Sequence, residues 1–483
     1  MRIAPEESPQ RTLPHNLILF TVCIGIFFAA LDQTVIYGAM ADIMQDLHLP
    51  VTKLDQAAWI VTGYLLGYTF AMPLMGRVSD VYGHRRIYIL SMLVFMVGSV
   101  CVALADSFNF IVGARVLQAI GGGAVVPVAM AIVGDTYTVK RRALAMGVIG
   151  AAVEGGGALG PFYGAVLTQY IGWRWIFWVN IPIGLLVIAL VYFLVKSSPR
   201  IQARVDYQGG LLIAIALVLL SLGLSQQLDL PRAALYMPVL LVASFSFAAL
   251  FIRRELKSSE PLFRLSMFRN LTLSAANTTH LFVGGALIIA MVTVPLMTNT
   301  IMGFPPLEGG LRLMRLTIMI PVGALIGGFL CQRFGYRLPT ILGLLSSSAG
   351  FFFMSRWTLE IADPALTAHL AICGLGFGLV ISPITTAVLN SVSGGERGIA
   401  SALVTVMRMI GMIIGLSALS SWGMGHFHEM TAGMSLQDII ASPETLTASV
   451  LNLFQDFFFA AAIVCLLALL PTLWMRLKKE RTG

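Results

Sequence analysis

From Leu17 to Met475 the chain divides into about fourteen apolar runs of roughly twenty residues, the length that crosses about 30 Å of hydrocarbon at 1.5 Å per helical residue. They lie near 17–40, 56–76, 87–105, 108–134, 142–168, 173–195, 207–225, 234–253, 271–298, 308–331, 338–355, 365–390, 396–424 and 453–475. Composition agrees, with 57% hydrophobic and 11% charged residues against about 25% charged in soluble domains. The expected fold is therefore an all-α membrane protein with fourteen transmembrane helices. The first run is too long for a cleaved signal peptide, carries Asp32 and lacks a small-residue cleavage pattern, so it is expected to stay in the protein.

Between the second and third runs lies Gly76-Arg77-Val78-Ser79-Asp80-Val81-Tyr82-Gly83-His84-Arg85-Arg86. A fainter copy, Gly328-Phe329-Leu330-Cys331-Gln332-Arg333-Phe334-Gly335-Tyr336-Arg337, follows 252 residues later, from position 76 to position 328. Six runs end near Lys196 to Arg204 and six begin near Arg269, which leaves two between them. Removing those roughly 60 residues brings the offset back to one six-helix half, as a parallel duplication with an insertion requires. The expected division is residues 1–205 as a first six-helix bundle, 206–258 as an inserted helix pair, and 259–483 as a second bundle with an extended outer hairpin at 423–454.

Basic residues set the orientation. With a cytoplasmic N-terminus, twenty-three of the 31 Lys and Arg residues fall on inner segments, Arg115 and Arg408 lie inside runs, and only Lys53, Arg174, Arg232, Arg312, Arg315 and Arg356 fall outside. That distribution satisfies the positive-inside rule and puts both termini in the cytoplasm. The net charge of +8 then reflects orientation and attraction to anionic lipid headgroups, and its scatter over short loops excludes a nucleic-acid stripe. Cys23, Cys101, Cys331, Cys373 and Cys465 all fall in or at the ends of apolar runs without metal-ligand spacing, which argues for packing over disulfides or zinc. No nucleophile elbow, phosphate loop or metalloprotease helix is present, so neither an enzyme nor ATP coupling is expected.

Four ionisable side chains reach membrane depth. Asp32 sits about 22 Å into the first run from its inner end, and Arg115 about 10 Å in from the outer end of the fourth, so their depths match. Glu154 in the fifth run and Arg408 in the thirteenth are each about 18 Å in from the inner side. Charges at this depth pair with one another or face a cavity, and they mark ion pathways, although a purely structural ion pair is the competing explanation. A carboxylate whose hydration or partner changes can load a proton on one side and release it on the other. In the 76–86 loop Gly76 and Gly83 allow a tight turn, while Asp80, Arg85 and Arg86 can exchange ionic contacts with a neighbouring helix end as an inner gate works; topogenic charge is the plainer account. Gly156, Gly160 and Gly164, with Pro161, let a helix pack closely and bend. His280 suits a cavity lining or a satisfied interior position equally. Arg312 and Arg315 suit an outer entrance to a lipid path or simple snorkelling.

The 76–86 loop, Arg115-Val116-Leu117-Gln118 with Gly121 to Gly123, Gly156 with Gly160-Pro161-Phe162-Tyr163-Gly164, Leu31-Asp32-Gln33-Thr34-Val35 and Trp173-Arg174-Trp175-Ile176-Phe177-Trp178-Val179-Asn180-Ile181-Pro182 together resemble the fourteen-helix drug:proton antiporters of the major facilitator superfamily. Within that family, Trp59 to Tyr68, Gly398 to Ala402 and Arg408 to Gly415 resemble the mycobacterial triacylglyceride exporter branch. Ala119 stands where the Arg115 motif usually has Gly, and Gln332 where the second basic loop usually has Asp, which implies a weaker second latch. The resemblance implies the major facilitator fold and assigns Asp32 to proton coupling with Arg115 as its basic neighbour. It makes Glu154 and Arg408 the acid and base joining the two halves, and the glycines of 156–164 the antiporter element.

The expected function is proton-coupled export of lipid, triacylglyceride-like or otherwise hydrophobic, across a bacterial inner membrane by alternating access. No cofactor is expected beyond the proton gradient. The expected partners are the cargo, protons, membrane lipids and a periplasmic lipid carrier, with no nucleic acid and a monomeric state. Multidrug efflux of amphipathic compounds is the alternative, and a transporter-like sensor or scaffold without flux is an alternative of another class. Pairing of both membrane acids with Arg favours neutral cargo over cations.

Overall fold

The computed structural model describes residues 15–49, 54–196, 205–224, 233–258, 261–262, 264–392, 397–430 and 443–475. Among them are fourteen helices long and apolar enough to cross a membrane: α1 (His15–Gly38), α2 (Gln56–Tyr82), α3 (His84–Ala103), α4 (Phe108–Thr136), α5 (Leu144–Ile171), α6 (Trp175–Leu194), α7 (Tyr207–Leu224), α8 (Tyr236–Lys257), α9 (Leu271–Thr300), α10 (Pro306–Phe334), α11 (Arg337–Met354), α12 (Ala365–Asn390), α13 (Ile399–Gly423) and α14 (Thr447–Thr472). Helices satisfy their own backbone hydrogen bonds where lipid offers no partner, which is why long apolar runs take this form. Several of them carry an internal proline, among them Pro73, Pro127, Pro161, Pro238, Pro295 and Pro383. In a packed bundle neighbouring helices make good the backbone groups a proline frees.

The duplication is visible in the packing. In the first half α2 lies on α4, α3 on α4, α1 on α5, and both α1 and α3 on α6. The second half repeats each pairing eight helices later: α10 on α12, α11 on α12, α9 on α13, and both α9 and α11 on α14. The halves meet through two equivalent crossings, α5 against α10 and α13 against α2. Helices α7 and α8 pair with each other, and α7 touches α2 and α13.

Contact between the halves is concentrated at one end. The second half of α5 is bound to the start of α10: Thr317 Oγ1 donates to Ala158 O (2.7 Å) and Leu307 N donates to Gln169 Oε1 (3.0 Å). At the other end, which carries the 76–86 loop, α5 is open, with Leu144 76% exposed and Arg141, Arg142, Val148 and Gly150 also exposed. These hydrogen bonds between α5 and α10 thus lie toward the end remote from the basic loops.

The helix containing α13 runs 34 residues, Arg397–Met430, about 50 Å at 1.5 Å per residue and well beyond a 30 Å hydrocarbon core. The helix containing α14 starts at Pro443, ten residues before the apolar run near 453–475, because Thr, Ser and Glu dilute the hydropathy of a first turn that still folds as helix. Residues 431–442 of the hairpin expected at 423–454 lie outside the described residues.

Candidate functional site

Two sets of small residues bring the site together. A Cβ at Gly156, Gly160 or Gly164 would run into the carbonyl oxygens of Phe27, Leu31 and Val35, so these glycines let α5 lie directly on the α1 backbone. Gly310 sits in the same way against Ala165 and Pro161 O, which draws α10 onto α5. The side chains on this part of α1 and α5 are consequently held between two tightly packed helix pairs.

Asp32, on α1, is 1% exposed and Arg115, on α4, is fully buried. Arg115 Nη1 donates to Asp32 Oδ2 at 2.8 Å, while Gln118 Nε2 and Asn180 Nδ2 each donate to Oδ1 at 2.9 Å. Gln118 Oε1 accepts a second bond from Arg115 (2.8 Å), and Ser99 Oγ accepts from Gln118 (2.8 Å) and Asn180 (3.2 Å). The guanidinium carbon lies 4.1 Å from the centroid of the Tyr64 ring. Burying an ion pair is tolerable only with such extra hydrogen bonds, since desolvation of both charges is otherwise uncompensated. Two donors occupy Oδ1 and one occupies Oδ2, which leaves Oδ2 an acceptor position for a proton.

Glu154 and Arg408 form a looser pair. Both terminal nitrogens of Arg408 lie 3.4 Å from Glu154 Oε1, and the Glu154 side chain is 37% exposed. The pair joins α5 to α13 and borders a cleft of about 50 Å³ lined also by Gln33, Leu287, Met291, Met409 and Met412. Gln33 Nε2 donates to Met409 Sδ (3.1 Å), a second link between the halves. Methionine side chains adapt to irregular apolar shapes, so this lining can reshape around an apolar group.

The stretch 76–86, expected as a loop, is helical to Tyr82 and again from His84, so Gly76 lies inside α2 and the turn is made at Gly83 alone (φ 96°), a conformation in which a side chain would be strained. Asp80 lies 3.8 Å from Arg77, while Arg85 Nη1 donates to Tyr192 O (3.4 Å) and Val195 O (3.3 Å), capping the end of α6. His84 lies 3.0 Å from Ser79 Oγ and 3.4 Å from Asp135, at the end of α4. Arg86 is exposed and Gly76 faces Pro127. The second copy turns in the same way at Gly335 (φ 76°).

His280, Arg312 and Arg315 do not line the cleft. His280 is buried on α9 with Nδ1 2.9 Å from Val404 O. Arg312 is held by Glu308 (3.1 Å) and lies over the Phe304 ring, and Arg315 donates to both carboxylate oxygens of Asp363 (2.8 and 2.9 Å). Partners on the same helix, on a packed neighbour or in the turn before α12 hold all three, which depth and charge alone do not reveal.

The sequence model of the Major Facilitator Superfamily matches residues 22–416. The chain belongs to that superfamily. It is 36% identical to a triacylglyceride transporter of Mycolicibacterium smegmatis over 96% of this chain and 88% of that one. It is 33% identical to a triacylglyceride transporter of Mycobacterium tuberculosis H37Rv over 95% and 94%. In fold it is similar to a bacterial homologue of the human lysosomal transporter Spinster, solved inward-facing and unoccupied, with a TM-score of 0.70 and 16% identity over 96% and 98% of the two chains.

As a Major Facilitator Superfamily member the chain is a multi-pass membrane transporter, and its site holds residues beyond those picked out by charge. Gln118, Asn180, Ser99 and Tyr64 complete the shell of the Asp32 pair. A signal existed for two of them: Gln118 follows Arg115 by three residues and so shares its helix face, and Asn180 is an amide inside an apolar run. Ser99 and Tyr64 give none, being ordinary in transmembrane sequence.

Proposed function

We propose that this transporter exports lipids of the triacylglyceride kind, or cargo of similar hydrophobicity, across a bacterial inner membrane by proton-coupled alternating access. The observation that carries the reading is the Glu154–Arg408 pair, which joins the two halves across a methionine-lined cleft. Protonating Glu154 removes one charge of the pair and weakens the tie between α5 and α13, so a proton can be exchanged for a change in how the halves meet. Asp32 is the second proton site, with Arg115 as the charge that stabilises its ionised form. The 76–86 loop acts as the latch at the inner end, with Arg85 on the end of α6. The 32–37% identity to proteins named triacylglyceride transporters supports lipid as the cargo.

On this account residues 1–205 and 259–483 are the two moving bundles and 206–258 is an inserted pair. Both termini are cytoplasmic, the proton gradient is the sole energy source, and the working unit is a monomer. Neutral lipid cannot cross water, so a periplasmic lipid carrier is the expected recipient. The test is a lipidomic comparison of a deletion strain complemented with the wild-type gene or with Asp32→Asn: triacylglyceride should accumulate inside the deletion strain, clear with the wild type and persist with the variant. The partial exposure of Glu154 also suits an amphipathic cation, so the same strains are scored for ethidium efflux. Restored efflux with an unchanged lipid profile would contradict lipid export.

A further inference from the structure

Asp32 is sealed from the cleft, and the groups that bond to its carboxylate are the side chains of Arg115, Gln118 and Asn180. A proton bound for it must travel through the protein. Close by, two buried polar atoms have no protein partner among the described residues: Arg115 Nε, on a fully buried side chain, and the hydroxyl of Tyr37, which is 1% exposed. Tyr37 follows Asp32 by five residues, on the tight turn Ile36–Gly38 that ends α1, within electrostatic reach of Arg115. The Tyr163 hydroxyl on α5, within reach of the Asp32 charge, also has no protein partner.

Buried polar atoms are almost always bonded to protein or to ordered water. Three such atoms, on α1, α4 and α5, therefore call for partners that the described side chains do not supply, and ordered water is the ordinary one. Phenylalanine at position 37 would fill the same space with no hydroxyl to satisfy, so packing does not account for the tyrosine. Four residues further on begins a vestibule of about 460 Å³, lined by Ala41, Asp42, Gln45 and Asn299 among others, at the end remote from the basic loops.

We propose that Tyr37 and Arg115 Nε hold a short file of ordered water that brings protons from this outer vestibule to Asp32, with Tyr37 as its relay. The proposal rests on the reading of Asp32 as a proton site. In each transfer the Tyr37 hydroxyl releases its proton inward as it takes one from the vestibule side, so it ends unchanged. The last O–H bond to break is on the inner water and the new one forms on Asp32 Oδ2, which has a lone pair beyond the one Arg115 uses. The net result is one proton moved from outer water to the carboxylate.

The experiment is pH-jump infrared spectroscopy on the full chain in liposomes, with Asp32→Asn identifying the band of protonated Asp32. Tyr37→Phe should slow the rise of that band on the order of a hundredfold, leaving its pH midpoint and the melting temperature unchanged. Tyr88→Phe, whose hydroxyl donates to Val22 O (3.1 Å), should not slow it. An unchanged rate in Tyr37→Phe overturns the relay and leaves the role of Asp32 standing. A band that persists in Asp32→Asn overturns the proton-site reading and the relay with it. Radiolytic footprinting of the wild type, in which bound water is the oxidant source, gives a check that needs no variant. Buried Tyr37 should be oxidised and equally buried Tyr88 should not, and an unmodified Tyr37 would overturn the water file.

Discussion

Arg115 Nη1 lies 2.8 Å from Asp32 Oδ2 with neither side chain open to solvent, so each charge depends on the other. Replacing Arg115 by Leu leaves a buried carboxylate without its counter-charge and should destabilise the protein by about 3–5 kcal/mol. Asp32→Asn keeps an acceptor oxygen in place but leaves the buried Arg115 guanidinium without its counter-charge, so it should lose proton-coupled transport together with part of that stability. Thermal unfolding of both variants and transport by the second check this pair of outcomes.

Glu154 and Arg408 should behave as a single unit. Either replacement by Leu leaves a charge at the cleft, whereas the double Leu variant removes both and should recover part of the lost stability, with a coupling of about 0.5–3 kcal/mol. A double-mutant cycle in unfolding measures it. Strictly additive losses would mean that the contact is not formed in the membrane.

Fourteen helices, and the depth match that pairs Asp32 with Arg115 and Glu154 with Arg408, were legible because helix rise converts sequence position into depth. Depth does not give azimuth. His280, Arg312 and Arg315 lie at plausible depths but point to neighbours that hold them, Val404 O, Glu308 and Asp363, rather than into the cleft. Ser99 was invisible for a related reason: it matters only because two helices bring Gln118 and Asn180 to the same hydroxyl.

The close approach of α1 and α5 has a direct test. Gly160→Ala places a methyl within about 2.7 Å of Leu31 O and should lower stability by about 1–3 kcal/mol. Gly150→Ala, with nothing within 4 Å of the added carbon, should be neutral or slightly stabilising because glycine is the weaker helix former.

At the end remote from the basic loops the Arg174 guanidinium, hydrogen-bonded to Asp46, holds that carboxyl below the ordinary carboxylate range. A carboxyl lowered in the folded state adds stability above its unfolded value and loses it as pH falls through the folded one, so the clamp is intact at neutral pH and weakens only below about pH 4. Both side chains are more than a third exposed, which limits the effect of Asp46→Asn to at most about 1 kcal/mol at pH 7. Melting curves of the two proteins should converge as the pH falls through and below the ordinary carboxylate range.

The long helix ending at Met430 motivates a loop exchange. Replacing residues 426–442 by a Gly/Ser linker leaves the helix that starts at Pro443 intact. If the projecting element shields acyl chains from water during hand-over, lipid export should fall while any dye efflux persists. Unchanged lipid export would remove the element from the mechanism.

Proton-coupled lipid export is tested most directly in proteoliposomes that hold a trapped pH dye and a labelled triacylglyceride. With an imposed proton gradient, the wild type should move the lipid against its concentration gradient and dissipate the pH difference only when lipid is present, and Asp32→Asn should do neither. Lipid movement by the wild type without proton flux, or uphill transport by Asp32→Asn at the wild-type rate, would contradict the account.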